Sequence, residues 1–190
     1  MRAEGRGQRD EGRGQRARGT DEVAARLARI RVPLGFVCGI AVLWFARPTS
    51  GSLMVGGGVA AVGELLRIWA SGHLEKGREV TRSGPYRLTR HPLYMGSAII
   101  ALGAAIAAAH AGVALLIGAY MVLTIVSAVR HEEAGMRAAF GDQYDAYLQS
   151  RAAPVERPFS IARALKNKEH HAIAGLVAVA AILAVKAAWK

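Results

Sequence analysis

Five stretches of this chain are long, apolar and nearly free of charge, and no other feature constrains its fold as much: Val32 to Ala46, Gly51 to Ala70, Pro92 to Ala109, Ala111 to Val129 and Ala172 to Val185. The apolar residues fill these blocks all round instead of falling at amphipathic spacing, which is the pattern of helices solvated by lipid. Inside a bilayer core every backbone N–H and C=O must be satisfied within its own element, so runs of this kind form helices. The sequence therefore predicts an all-α fold: a polytopic membrane bundle of about five transmembrane helices. Gly and Ala crowd the blocks, as in GGGVAAVG at 56–63 and ALGAAIAAA at 101–109. Small residues let membrane helices approach closely where no expulsion of water drives them together, so the bundle should be compact.

The first block, between Arg31 and Arg47, covers roughly 22 Å at about 1.5 Å per residue, against a bilayer core of about 30 Å. It needs snorkelling arginines at its ends or a locally thinned bilayer. The second block carries Glu64 and Arg67 near its end. Little more than His110 and Gly112 separates the third from the fourth, which predicts a tight antiparallel hairpin. Trp189, with Lys186 and Lys190, marks the interfacial end of the fifth. The tail before the first block holds nine arginines, the segment 71–91 five Lys/Arg and the segment 130–169 seven, so 21 of 25 fall where a five-span topology puts one side. Positive charge of this kind marks the cytoplasmic face, with the N-terminus inside and the C-terminus outside. The chain thus divides into a disordered basic tail (1–26) and an integral membrane domain (27–190).

A net charge of +11 raises the question of nucleic acid. Five acids are mixed among the tail's nine arginines, and no aromatic is present there for stacking on bases. The tail reads as a solvated, topogenic segment, with no nucleic-acid partner. Some thirty polar residues precede the first apolar block, which is a poor signal peptide. The lone Cys38 rules out an intramolecular disulfide. HEEAG at 131–135 lacks the second histidine of a zinc-protease helix, and the adjacent His170 and His171 point to different faces, so no metal is expected.

The hairpin brings distant charges together. Nineteen residues lead up from His91 to His110 and twenty-one lead down from Ala111 to Glu132, so Glu132 and Glu133 return to nearly the height of Arg90 and His91. Pro92 suits the first position of a helix, whose free amides form an anion site to which Arg90 adds charge. His91 and Tyr94 share a face, and Gly96 leaves room for a ligand or a neighbouring helix. Glu132 and Glu133 sit at a helix C-terminus, where the dipole disfavours them, which suggests a bound cation. A ligand with a carboxylate beside cationic groups suits this mouth, and S-adenosylmethionine has a carboxylate, an ammonium and a sulfonium. Beyond the hairpin, Met136, Phe140, Tyr144 and Tyr147 form a stripe of helical period, interrupted where Gly141 ends one helix and Asp142 caps the next.

These motifs resemble the isoprenylcysteine carboxyl methyltransferase and phospholipid methyltransferase superfamily of integral membrane enzymes. Its pattern is Gly-Pro-Tyr, then Arg-His-Pro-x-Tyr-x-Gly, then a hairpin, then a Glu-Glu motif running into Phe-Gly and two tyrosines. It is met by GPY at 84–86, RHPLYMG at 90–96 and EEAGMRAAFGDQYDAY at 132–147, with LLRIWASGHLEKGREV at 65–80 as the lead-in. Met136 stands where Leu is usual, and the spacing after Tyr147 departs from the pattern. The resemblance implies S-adenosylmethionine held by Tyr86, Arg90, His91, Pro92, Tyr94, Gly96, Glu132 and Glu133, and a lipophilic or lipidated acceptor arriving from the surrounding membrane lipids. Arg137 or Arg151 would serve the substrate side. Glu133 is the residue whose loss should hurt most, because a buried mouth does not readily replace a charge paired with the cofactor's cation. Two other readings compete. One is an NADPH-dependent membrane reductase of the sterol or steroid type, which carries a similar RHP-x-Y-x-G stretch; the other is a non-enzymatic protein whose basic loops bind anionic lipid.

Overall fold

The structure is a computed structural model that describes residues 33–189. The basic tail, and Val32 of the first apolar block, lie outside the described residues. Seven α-helices and no strand occur among the described residues: α1 (Pro33–Phe45), α2 (Ser50–Ser71), α3 (Pro92–Ala108), α4 (Ala111–Phe140), α5 (Asp142–Leu148), α6 (Ile161–Lys166) and α7 (Glu169–Ala188), with a 3-10 turn at Gly84–Arg87. By length and composition α2, α4 and α7 can each cross a membrane, while α1 and α3 are apolar but shorter.

Local chemistry sets the boundaries. Thr49 caps α2 reciprocally: its Oγ1 accepts from the Ser52 amide at 3.1 Å and its own amide donates to Ser52 Oγ at 2.9 Å. Pro92 opens α3, and Ala109 ends it in the left-handed region at φ 48°. His110 then caps α4, its Nδ1 accepting from the Val113 amide at 3.3 Å. Two residues thus make the expected hairpin.

Small residues hold α2 against α3. A Cβ built on Gly63 would lie 2.7 Å from the Gly96 carbonyl oxygen, and one on Gly103 would lie 2.5 Å from that of Gly56 and 2.6 Å from the Ala60 amide. Backbone cannot yield as a side chain can, so these positions fix the helix separation. Gly103→Leu should cost about 1–3 kcal/mol or more as overpacking, read as a lower melting temperature in detergent. Gly57→Leu, which meets nothing within 4 Å, should leave it unchanged.

The helices alternate in direction. At the hairpin end, Ala46, Ala107, Ala108, Val113 and Leu183 form a buried cluster, and the Arg47 amide donates to the Ala108 carbonyl at 2.7 Å. Lys186 of α7 donates to the last carbonyls of α1, Leu43 at 2.7 Å and Trp44 at 2.6 Å, satisfying oxygens that the helix end leaves open. At the other end, Glu169 meets Arg67 of α2. The C-terminal span therefore staples the bundle at both ends.

Three expectations need correction. Glu132 and Glu133 do not sit at a helix C-terminus: α4 runs unbroken for 30 residues to Phe140, about 45 Å against a bilayer core of about 30 Å, which leaves the two acids about two turns inside its end. Its charged end is helical because VRHEEAGMRAAF holds no proline, and its Gly135 costs only about 1 kcal/mol inside a helix. The last helix begins at Glu169, three positions before the apolar block, with that acid in its first turn, where the dipole favours it. At the 140s break Gly141, at φ 45°, both ends α4 and caps α5; Asp142 is already helical and caps nothing. The aromatic stripe accordingly bends onto two helices.

Candidate active site

The non-hairpin ends of α3 and α4 form the mouth. His91 Nε2–H donates to Glu133 Oε1 at 3.1 Å, a contact across 42 residues of sequence. His91 precedes α3, which no side chain caps, and its ring lies 5.8 Å from that of Tyr94. Pro92 is buried at the first turn. Glu133 is half-buried on α4, and Glu132 beside it is exposed. Arg90 leaves the helix start and donates to the Leu148 carbonyl, the last of α5, at 2.6 Å. This bond ties the end of α5 to the start of α3, and a helix C-terminus suits a cation.

Tyrosines line the rest. Tyr147 OH donates to the Tyr86 carbonyl at 3.0 Å, joining α5 to the 84–87 turn, and its ring lies 6.3 Å from that of Tyr144. Tyr86 and Tyr144 are buried. Burial, helped by Glu133 and Glu132, pushes the Tyr144 phenol up to about 12. Burial likewise raises Tyr86, with Glu132 the next cause, and raises Tyr147. All three stay protonated at neutral pH and act as apolar walls and hydrogen-bond donors, not as bases. Gly96 does not face this mouth: a Cβ there would strike Arg67 Cγ at 2.6 Å and the Gly63 carbonyl at 2.7 Å, so its bareness serves the α2 contact. Arg137 pairs with Asp145 at 3.1 Å on the exposed side, and Arg151 is exposed.

Residues 50–143, which contain both arms of this mouth, match the phospholipid methyltransferase family. The chain belongs to the isoprenylcysteine and phospholipid methyltransferase superfamily. It is a membrane methyltransferase. No curated protein and no solved structure matches it.

The matched region of this methyltransferase reaches the Phe-Gly motif and stops short of α6 and α7, yet α7 completes the wall of the bundle. Arg67 Nε donates to Glu169 Oε1 at 2.8 Å and Arg67 Nη1 to Ser97 Oγ at 2.5 Å. Glu64 lies 3.7 Å from the same guanidinium, with both carboxylate oxygens buried and lacking a hydrogen-bond partner among the described residues. This three-helix knot lies one to two turns inward from His91. In the sequence the partner of Glu64 and Arg67 is signalled only by the acid three positions before the last apolar block, since a charge at that depth needs an opposite one.

A second buried group went unremarked. His73, just after α2, is buried with its Nδ1 3.2 Å from Ser83 Oγ. Burial, then the charges of Arg163, Arg157 and Arg87, holds its pKa below the usual histidine range. The unfolded chain therefore takes up a proton below about pH 6.5 that the folded chain refuses. The stability this group contributes is present above that pH and is lost on acidification. His73→Gln should flatten the acid limb of a melting-temperature-against-pH curve between about pH 6.5 and 5.

Proposed function

We propose that this protein is an S-adenosylmethionine-dependent methyltransferase acting on a lipophilic acceptor, with the cofactor at the His91–Glu133 mouth and that mouth facing the cytoplasm. The observation that carries the reading is the His91–Glu133 contact, which gathers carboxylates, aromatic faces and an uncapped helix start at one place. The donor set fits the group. Carboxylates and tyrosine faces suit a sulfonium and an ammonium, and a helix start suits a carboxylate. A dinucleotide phosphate would meet repulsion from Glu132 and Glu133, which disfavours the reductase reading. The cytoplasmic assignment rests on the basic segments 71–91 and 130–169 around the mouth.

When bound, the cofactor supplies an electrophilic methyl group. The protein's part is alignment and exclusion of water, since an in-line displacement gains most from both. His91 holds Glu133 in place through its N–H, and Glu133 with Glu132 provides negative potential against the cationic centre. Pro92 and Tyr94 shape the helix start, while Arg90 and the Tyr147–Tyr86 bond fix α5 and Tyr86 as a cover. Glu133 and Glu132 would hold an uncharged product less tightly than a cationic cofactor. The acceptor reaches the mouth between helices from the bilayer.

Calorimetry on detergent-purified folded protein tests this. S-adenosylhomocysteine should bind saturably and NADPH should not; binding of NADPH alone would transfer the site to the reductase reading, and binding of neither would leave a charged membrane interface.

A further inference from the structure

On the other side of the 84–87 turn lies an open cleft of about 450 Å³, lined by Trp69, His73, Gly84, Arg87, Arg157 and the segment around Glu156. The turn separates it from the mouth: Tyr86 belongs to the mouth and Arg87 to the cleft. Its back wall is built around His73. Gly84 has a φ of 56°, and a Cβ there would come within 2.5–2.7 Å of the imidazole ring, so the Gly of the GPY motif both turns the chain and admits this ring. The ring is 95% buried by the residue's 5% exposure. Nδ1 is taken by Ser83, and among the described residues nothing bonds Nε2.

Two arginines line the cleft. Arg157 forms a bidentate pair with Glu79 and cannot turn inward without losing it, so it acts as a fixed positive wall. Arg87 is different. Only its Nη2 is engaged, with the Val155 carbonyl at 3.1 Å and with Glu156 at 2.9 Å, and the Glu156 side chain is 94% exposed. So exposed a pair contributes little, and the remaining N–H groups of Arg87 have no partner among the described residues. Trp69 and Phe159, both partly exposed, flank the cleft with apolar surface at the end of a membrane-spanning helix.

A tetrahedral oxyanion suits this set, because it offers oxygens to an arginine fork and to an imidazole edge at once. We propose that the cleft is a phosphate-binding site, in which Arg87 and the Nε2 edge of His73 hold the phosphate of a lipid headgroup or of a soluble phosphate ester. Donation from Nε2 while Nδ1 serves Ser83 is strongest from the imidazolium. The groups facing His73 are Arg87 of the turn, Arg157 with Glu79, Glu156 of the same loop, and Arg163 of α6 with Glu75. Burial first, and then the three arginines, keep it neutral in the empty cleft, and the negative charge of a bound phosphate offsets the arginines. Binding is therefore accompanied by proton uptake, and affinity rises as pH falls.

The test is calorimetry on the full chain in an uncharged detergent, with glycerol phosphate and a short-chain phosphatidylglycerol as the two probes, at pH 6 and pH 8. Saturable binding, tighter at pH 6, is expected, with about a tenfold loss in Arg87→Gln and a gain in Glu156→Gln, which removes the carboxylate competing for Arg87. A gain cannot come from misfolding, so the second variant guards the first. Binding of the diester alone identifies a lipid headgroup, binding of glycerol phosphate alone a soluble ester, and equal binding of both a site that reads the phosphate itself. Binding of neither, or affinities that both variants leave unchanged, overturns the proposal. S-adenosylhomocysteine affinity in Arg87→Gln should equal that of the parent; an equal loss there would make the cleft part of the cofactor mouth and would equally sink a separate site. The cofactor reading itself survives or fails on the parent chain.

Discussion

Glu133→Gln should lower the affinity for S-adenosylmethionine roughly 10- to 100-fold, the range expected when a hydrogen bond or contact to a charged group loses its charge. Glutamine keeps the side chain's length and an oxygen to accept from His91 Nε2, so the contact at 3.1 Å can persist and only the charge is lost. This makes the variant a test of electrostatics and not of shape. The comparison that isolates the effect uses two neutral-or-cationic analogues: S-adenosylhomocysteine, whose sulfur is uncharged, and an analogue bearing an ammonium-substituted carbon at that position. In the parent the cationic analogue should bind more tightly; in Glu133→Gln the two should converge. A preference that persists undiminished would show that Glu133 does not face the cationic centre. Glu132→Gln should have the smaller effect, because Glu132 is the more exposed carboxylate and its field is screened by solvent.

Much of this arrangement was legible in the sequence because a membrane restricts the choices. Uninterrupted apolar runs must be helices, and a two-residue break between runs of similar length must be a hairpin, so the meeting of His91 with Glu133 follows from counting residues. The Gly and Ala content of blocks two and three likewise announced their contact, although only the structure pairs Gly63 with Gly96 and Gly56 with Gly103. Gly96 shows the limit: a bare position near a pocket reads equally well as ligand space or helix contact, and here it is the helix contact. Arg90 carries a contact that its charge alone did not announce: beside an open helix C-terminus it also meets a carbonyl, the Leu148 oxygen. Contacts made by long side chains across unrelated elements, such as Lys186 to α1 or Arg163 to the Gly72 carbonyl, leave no periodicity to read. His73 was invisible as a site because a lone histidine after a span carries no spacing signal until Gly84 is seen folded over it.

The largest change in stability should come from Arg67. Among the described residues its guanidinium is the one formal positive charge in contact with both Glu64 and Glu169, which are 7% and 4% exposed. Arg67→Leu would leave two buried acids facing each other without a cation, and removing one partner from a buried pair costs about 3–5 kcal/mol. The loss extends to the site, because Arg67 also holds Ser97 on the second turn of α3 and packs its Cγ beneath Gly96, so the helix start at His91 loses its support. The two acids are not equivalent. Glu169 accepts a direct hydrogen bond from Arg67, whereas neither Glu64 oxygen has a hydrogen-bond partner among the described residues. Glu64→Gln should therefore be neutral or stabilising in a thermal melt in detergent, Glu169→Gln destabilising, and the triple change Arg67→Leu, Glu64→Gln, Glu169→Gln should recover much of what Arg67→Leu loses. That recovery is the decisive outcome: a charge imbalance is relieved by removing the acids, whereas a packing defect left by the missing arginine is not. If the triple variant melts as low as Arg67→Leu alone, the knot holds α2, α3 and α7 together by shape, and its charges are incidental.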